Sequence, residues 1–141
     1  MHAVISIVDD DESVREGLGD LFNAMGFLTA IFPRAKDFLK PDHIKRTRCL
    51  ISDVQMPEMT GIELHRTLSQ SGVKIPTILI TAYPDERDRS SVLQAGVFRY
   101  FVKPYDHDEL LACVRSAIER REANGENHER FHIDSSSTLS S

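Results

Sequence analysis

Five residues of this 141-residue chain carry groups that could do chemistry together: the carboxylates of Asp9, Asp10 and Asp53, the hydroxyl of Thr81 and the ammonium of Lys103. Each stands at or just past the end of a short apolar run. Val4 to Val8 stops at Asp9, Asp10 and Asp11, Leu50-Ile51 at Asp53, Ile78 to Ile80 at Thr81, and Phe98 to Val102 at Lys103-Pro104. Crowded carboxylates raise one another's pKa unless a cation intervenes, and hard oxygen donors of this kind suit Mg²⁺. A divalent cation beside one free carboxylate, faced by a hydroxyl and an ammonium, meets the needs of an incoming phosphoryl group, whose transfer is mostly positioning and charge neutralisation. Asp53 is then the candidate nucleophile.

For these groups to meet, the four runs must be parallel strands of one sheet, because the ligand crevice of an open α/β sheet lies beyond the carboxyl ends of its strands. The intervening segments have helical period. Val14, Leu18, Leu21, Phe22 and Met25 form one apolar stripe, with its start marked by Asp11 as N-cap and by a Ser13/Glu16 capping-box spacing, and its end by Gly26. Phe27 to Phe32 reads as a second strand, followed by a brief helix around Arg34 to Leu39 that Pro41 closes.

A third helix spans Gly61 to Gln70. The fourth, from about Asp85 to Ala95, has a thin apolar stripe of Val92, Leu93 and Ala95, and a helix held by so few contacts is free to move. The fifth opens with Asp106 and Glu109, presents Leu110, Val114, Ala117 and Ile118 on one face, and is expected to stop at Asn124-Gly125. Strands alternating with helices predict right-handed βαβ units. The expected fold is a doubly wound α/β domain over residues 1–123, with a five-stranded parallel sheet of order 2-1-3-4-5 and five helices. Residues 124–141, polar and Ser-rich, are expected to be a disordered tail or linker.

Net charge is −5. It divides into −3 over residues 1–123 (16 basic, 19 acidic) and −2 over 124–141 (1 basic, 3 acidic), so the clustered basic excess that nucleic acid requires is missing. Cys49 and Cys113 lie among apolar residues and read as free buried thiols of a reducing compartment. The opening MHAVISIVDD has no basic region and only a short apolar run, which argues against a signal peptide or membrane anchor and for a cytoplasmic location.

The stretches VDDDESVR, LISDVQMPEMTG, ITA and FVKP, in this order and at this spacing, make residues 3 to about 122 resemble the receiver domain of two-component response regulators, most closely the FixJ-type receivers of CheY-like fold. The resemblance implies that Asp53 accepts a phosphoryl group from a sensor histidine kinase. It implies that Asp10, Asp53 and the Gln55 main-chain carbonyl hold Mg²⁺ with help from Asp9, and that Thr81, the Ala82 N–H and Lys103 bind the phosphoryl oxygens. Lys103-Pro104 is expected to be a cis peptide. Tyr100 occupies the family's aromatic switch position, so phosphorylation would remodel the surface of the fourth helix, fifth strand and fifth helix. That surface would then act on an output domain or form a homodimer. Gln55 and Tyr83 flank the path of the attacking water and are expected to set the phosphoryl lifetime.

Other readings stand beside this one. A receiver that binds partners without being phosphorylated would need no acid set, and this chain has the whole of it. His128-Glu129-Arg130-Phe131-His132 matches the H-E-x-x-H helix of zinc peptidases. It sits in a polar segment with no apolar face to seat it, and short motifs match by accident. Whether the chain acts alone or precedes an output domain is open in the sequence.

Overall fold

A computed structural model describes residues 4–133, with side chains described for residues 4–120. The elements run β1 (Val4–Val8), α1 (Glu12–Ala24), β2 (Leu28–Phe32), α2 (Ala35–Phe38), α3 (Pro41–Arg46), β3 (Thr47–Asp53), α4 (Gly61–Gln70), β4 (Thr77–Thr81), α5 (Glu86–Gln94), β5 (Arg99–Val102) and α6 (His107–Ile133). All strand pairs are parallel and the order is β2-β1-β3-β4-β5, as expected from the alternation of strand and helix patterns.

The three inner strands bury side chains on both faces, which is why they read as unbroken apolar runs. On one face, Ile5, Ile7, Cys49, Ile51, Ile78, Ile80 and Phe101 pack against Leu18 and Phe22 of α1 and Leu110, Val114, Ala117 and Ile118 of α6. On the other, Val8, Phe32 and Leu50 meet Phe38 of α2 and Leu64 and Leu68 of α4, while Leu79 and Tyr100 meet Val92 of α5. Cys49 and Cys113 are free and buried.

Two expectations about helices are corrected. Pro41 does not close a helix but opens α3 as its first residue, where its fixed φ fits and its missing N–H is not needed, and this makes six helices rather than five among the described residues. Asn124-Gly125 does not stop the last helix, which continues to Ile133. One glycine costs a helix only about 1 kcal/mol relative to alanine, so Asn124-Gly125 weakens α6 without ending it. At the start of α1, Asp11 rather than Ser13 is the cap, its carboxylate accepting from the Val14 N–H at 3.3 Å.

Candidate functional site

Register brings the polar strand ends into line. Val8 of β1 pairs with Ser52 of β3, so Asp9 and Asp53 leave adjacent strands side by side. Asp53 pairs with Ile80, and Thr81 with Val102, which places Thr81 and Lys103 one step further along the same edge. One carboxylate oxygen from each of Asp9, Asp10 and Asp53 lies within 4.8 Å of the others. Lys103 Nζ is 3.2 Å from Asp53 Oδ1 and 4.0 Å from Asp9 Oδ2. Among the described residues these acids therefore meet one paired ammonium.

The loop after β3 is built to hold Asp53. Gly61 N–H donates to the Val54 carbonyl at 3.0 Å, and a Cβ on Gly61 would run into the Asp53 carbonyl oxygen. Only glycine lets α4 start that close. Thr60 caps α4 in a full capping box with Glu63, a Thr-x-x-Glu spacing that the sequence itself displays. Asp9 is fixed by the Asp11 N–H, which donates to its Oδ1 at 2.9 Å, and by Arg15, whose Nη1 donates to its carbonyl at 3.1 Å. Arg15 lies in the VDDDESVR stretch, but nothing in its spacing tells that its side chain turns back onto the strand end.

Charge is held here against its preference. Burial pushes the Asp9 carboxyl from 3.8 up to about 6, against the Asp11 N–H, while Asp53 and Asp10 add repulsion and Lys103 relieves part of it. Asp53 is likewise raised by burial, despite Lys103 and the Gln55 N–H that donates to it. Burial opposes the charge on Lys103, yet the carboxylates of Asp53 and Asp9 prevail and hold its pKa above the usual lysine value. Tyr105, two residues on, is raised by burial and lies within electrostatic reach of Lys103 and Asp9.

The remaining predicted residues lie around this cluster. Thr81 is fully buried, its Oγ1 donating to Gln55 Oε1 at 2.7 Å and accepting from the Tyr83 N–H at 2.9 Å. Ala82 is exposed directly after β4. The Lys103–Pro104 peptide is cis. Tyr100 is buried, and its hydroxyl accepts from the Asp85 N–H at 3.4 Å. Tyr83 is 73% exposed. The side chains of His128, Glu129 and His132 lie outside the described residues.

The acid cluster fits a hard cation: three carboxylates stand together, Asp9 and Asp53 among them with raised affinity for protons, and too little positive charge faces them. A doubly wound sheet with such a cluster and a lysine at its switch point is the architecture of a CheY-like signalling domain. The chain belongs to the response regulator receiver domain family, whose model matches residues 5–115. It is 34% identical over 140 residues to the transcriptional regulatory protein TdiR of Thauera aromatica, covering 98% of this chain and 62% of that protein. It is 37% identical to the response regulator protein TodT of Pseudomonas putida, covering 82% of this chain and 51% of that protein. The chain thus spans between half and two thirds of the length of these two relatives. The crystal structure of FixJ-N superposes with a TM-score of 0.75 at 30% identity, covering 84% of this chain and 95% of that one. No helix among the described residues is long and apolar enough to cross a membrane.

Proposed function

We propose that this chain is the phosphoacceptor of a two-component system, with Asp53 taking a phosphoryl group from a sensor histidine kinase. The observation that carries the reading is the meeting of Asp9, Asp10 and Asp53 within 4.8 Å, with Lys103 3.2 Å from Asp53. In the transfer an Asp53 carboxylate oxygen forms the O–P bond as the N–P bond of a phosphohistidine breaks, and the imidazole leaves with that electron pair. Lys103 pairs with one phosphoryl oxygen, and Thr81 and the Ala82 N–H take others. Asp9, Asp10, Asp53 and the Gln55 main-chain carbonyl would hold Mg²⁺, which when bound offsets carboxylate and phosphoryl charge.

The domain signals rather than acting on a separate substrate. Its receiver part is assigned to residues 1–123 and a linker to residues 124–141. Because the relatives are longer, and one is named a transcriptional regulatory protein, the event is assigned to an output domain or a second copy through α5, β5 and α6. Tyr100 would report the state of Thr81 to that surface. This segment is assigned no contact with nucleic acid or membrane, and a cytoplasmic place.

Incubation with acetyl phosphate and Mg²⁺, followed by intact mass measurement, tests the reading. One phosphoryl adduct is expected, absent in Asp53→Ala. A folded chain that gains no adduct would instead be a phosphorylation-independent partner-binding receiver. Zinc-dependent peptidase activity lost on trimming at residue 124 would bring back the His128-Glu129-Arg130-Phe131-His132 reading.

A further inference from the structure

We propose that the Gln55 side chain is a latch on Thr81, competing with the phosphoryl group for the threonine's one hydroxyl proton and so weakening phosphoryl binding. The inference rests on the phosphoacceptor reading of Asp53.

A threonine hydroxyl has one proton to donate and two lone pairs to accept with. In this structure the proton is directed at Gln55 Oε1, 2.7 Å away, and a lone pair accepts from the Tyr83 N–H at 2.9 Å. Thr81 is fully buried, so solvent does not stand ready to replace the amide as acceptor. Gln55 itself is exposed, and its amide can swing into water when released. A phosphoryl oxygen on Asp53 needs the same proton, so Thr81 can donate to it only by giving up Gln55.

The geometry that makes this competition possible is local. Gln55 stands two residues past Asp53, and Asp53 pairs with Ile80, the neighbour of Thr81. The main chain at position 55 turns its N–H to Asp53, and its side chain reaches Thr81. One residue thereby touches both the acceptor carboxylate and the hydroxyl that would follow its modification. This is separate from any influence of Gln55 on the attacking water, because it acts on an equilibrium and not on hydrolysis.

Binding of fluoroberyllate to the full chain with Mg²⁺, followed through backbone amide signals, isolates that equilibrium, since the adduct mimics a phosphoryl group without hydrolysing. Gln55→Met keeps the length and the main-chain carbonyl but leaves only a weak thioether acceptor. It is expected to bind fluoroberyllate roughly two- to tenfold more tightly, the worth of one neutral hydrogen bond. The gain should persist in Thr81→Ser, which keeps the hydroxyl, and vanish in Thr81→Ala, where the latch has nothing to hold. Affinity that is unchanged or weaker in Gln55→Met, or an equal gain with Thr81→Ala, would overturn the latch. So would a weaker Mg²⁺ affinity in Gln55→Met, which would place the effect in the loop's main chain. A wild-type chain that binds no fluoroberyllate would sink the phosphoacceptor reading itself, and the latch with it.

Discussion

Lys103 Nζ stands 3.2 Å from Asp53 Oδ1 although their strands are not neighbours, so the lysine reaches across the end of β4 to the acid. The two partners respond differently: the lysine's pKa is raised by the pair, whereas Asp53 stays raised because burial outweighs the lysine's pull. Their exposures, 28% and 8%, account for this, since the more deeply placed group loses more hydration. Lys103→Met should therefore push the Asp53 carboxyl further up, read by carbon NMR titration. It should also slow acetyl phosphate labelling roughly tenfold or more, the worth of a charge-assisted hydrogen bond. Labelling at the wild-type rate would exclude Lys103 from the reaction.

Asp9 makes stability depend on pH and on Mg²⁺. With its carboxyl raised from 3.8 to about 6, the folded state holds this proton more tightly than the unfolded chain does. Its contribution to stability therefore falls as pH rises from about 4 to about 6, and above that the full penalty, up to roughly 3 kcal/mol, is carried. Asp9→Asn keeps the acceptor for the Asp11 N–H without the charge. In Mg²⁺-free buffer at pH 7 it should be more stable than wild type by roughly 1–3 kcal/mol, with the difference closing toward pH 4. Millimolar Mg²⁺ should raise the wild-type Tm more at pH 7 than at pH 5, and raise that of Asp9→Asn less. Denaturation curves parallel across pH for the two proteins would contradict this.

Gly61→Ala should destabilise the fold by roughly 1–3 kcal/mol, because the new methyl meets the Asp53 backbone carbonyl and α4 must back away. Urea unfolding measures the loss. Labelling should fall more than the folded fraction does, as the same shift moves Asp53 from its partners.

Helix α5 should exchange its amide hydrogens faster than α4. Of its side chains only Val92 is buried, whereas α4 buries Leu64, His65 and Leu68. Hydrogen exchange read by mass spectrometry checks the order, and equal protection of the two helices would remove α5 as the mobile element of the proposed switch surface.

Much of this was legible because apolar runs ending in charge have few alternatives. Strand-end positions 9, 53, 81 and 103 could be named before any geometry, since parallel register converts a shared sequence feature into a shared place. What stayed hidden depends on contacts between distant side chains. Arg15 turning back to Asp9, and Thr81 donating to Gln55, have no periodicity to betray them. Pro41 was ambiguous for another reason, because proline ends one helix and begins the next by the same missing N–H. Asn124-Gly125 shows that a pair with low helix propensity can still lie inside a longer helix.

Tyr83 follows Thr81 by two residues and is 73% exposed, while its backbone N–H is tied to Thr81 Oγ1 at 2.9 Å. The backbone is thus tied to Thr81, and we propose that the ring shields the route by which water would approach a phosphoryl group on Asp53. Tyr83→Ala removes the ring and leaves the N–H in place, so it should shorten the phosphoryl lifetime severalfold without altering Mg²⁺ affinity. The lifetime is read by intact mass after the phosphodonor is removed. An unchanged lifetime would show that the ring shields nothing. A lifetime lost together with Mg²⁺ affinity would show instead that the substitution had disturbed the loop that carries Thr81.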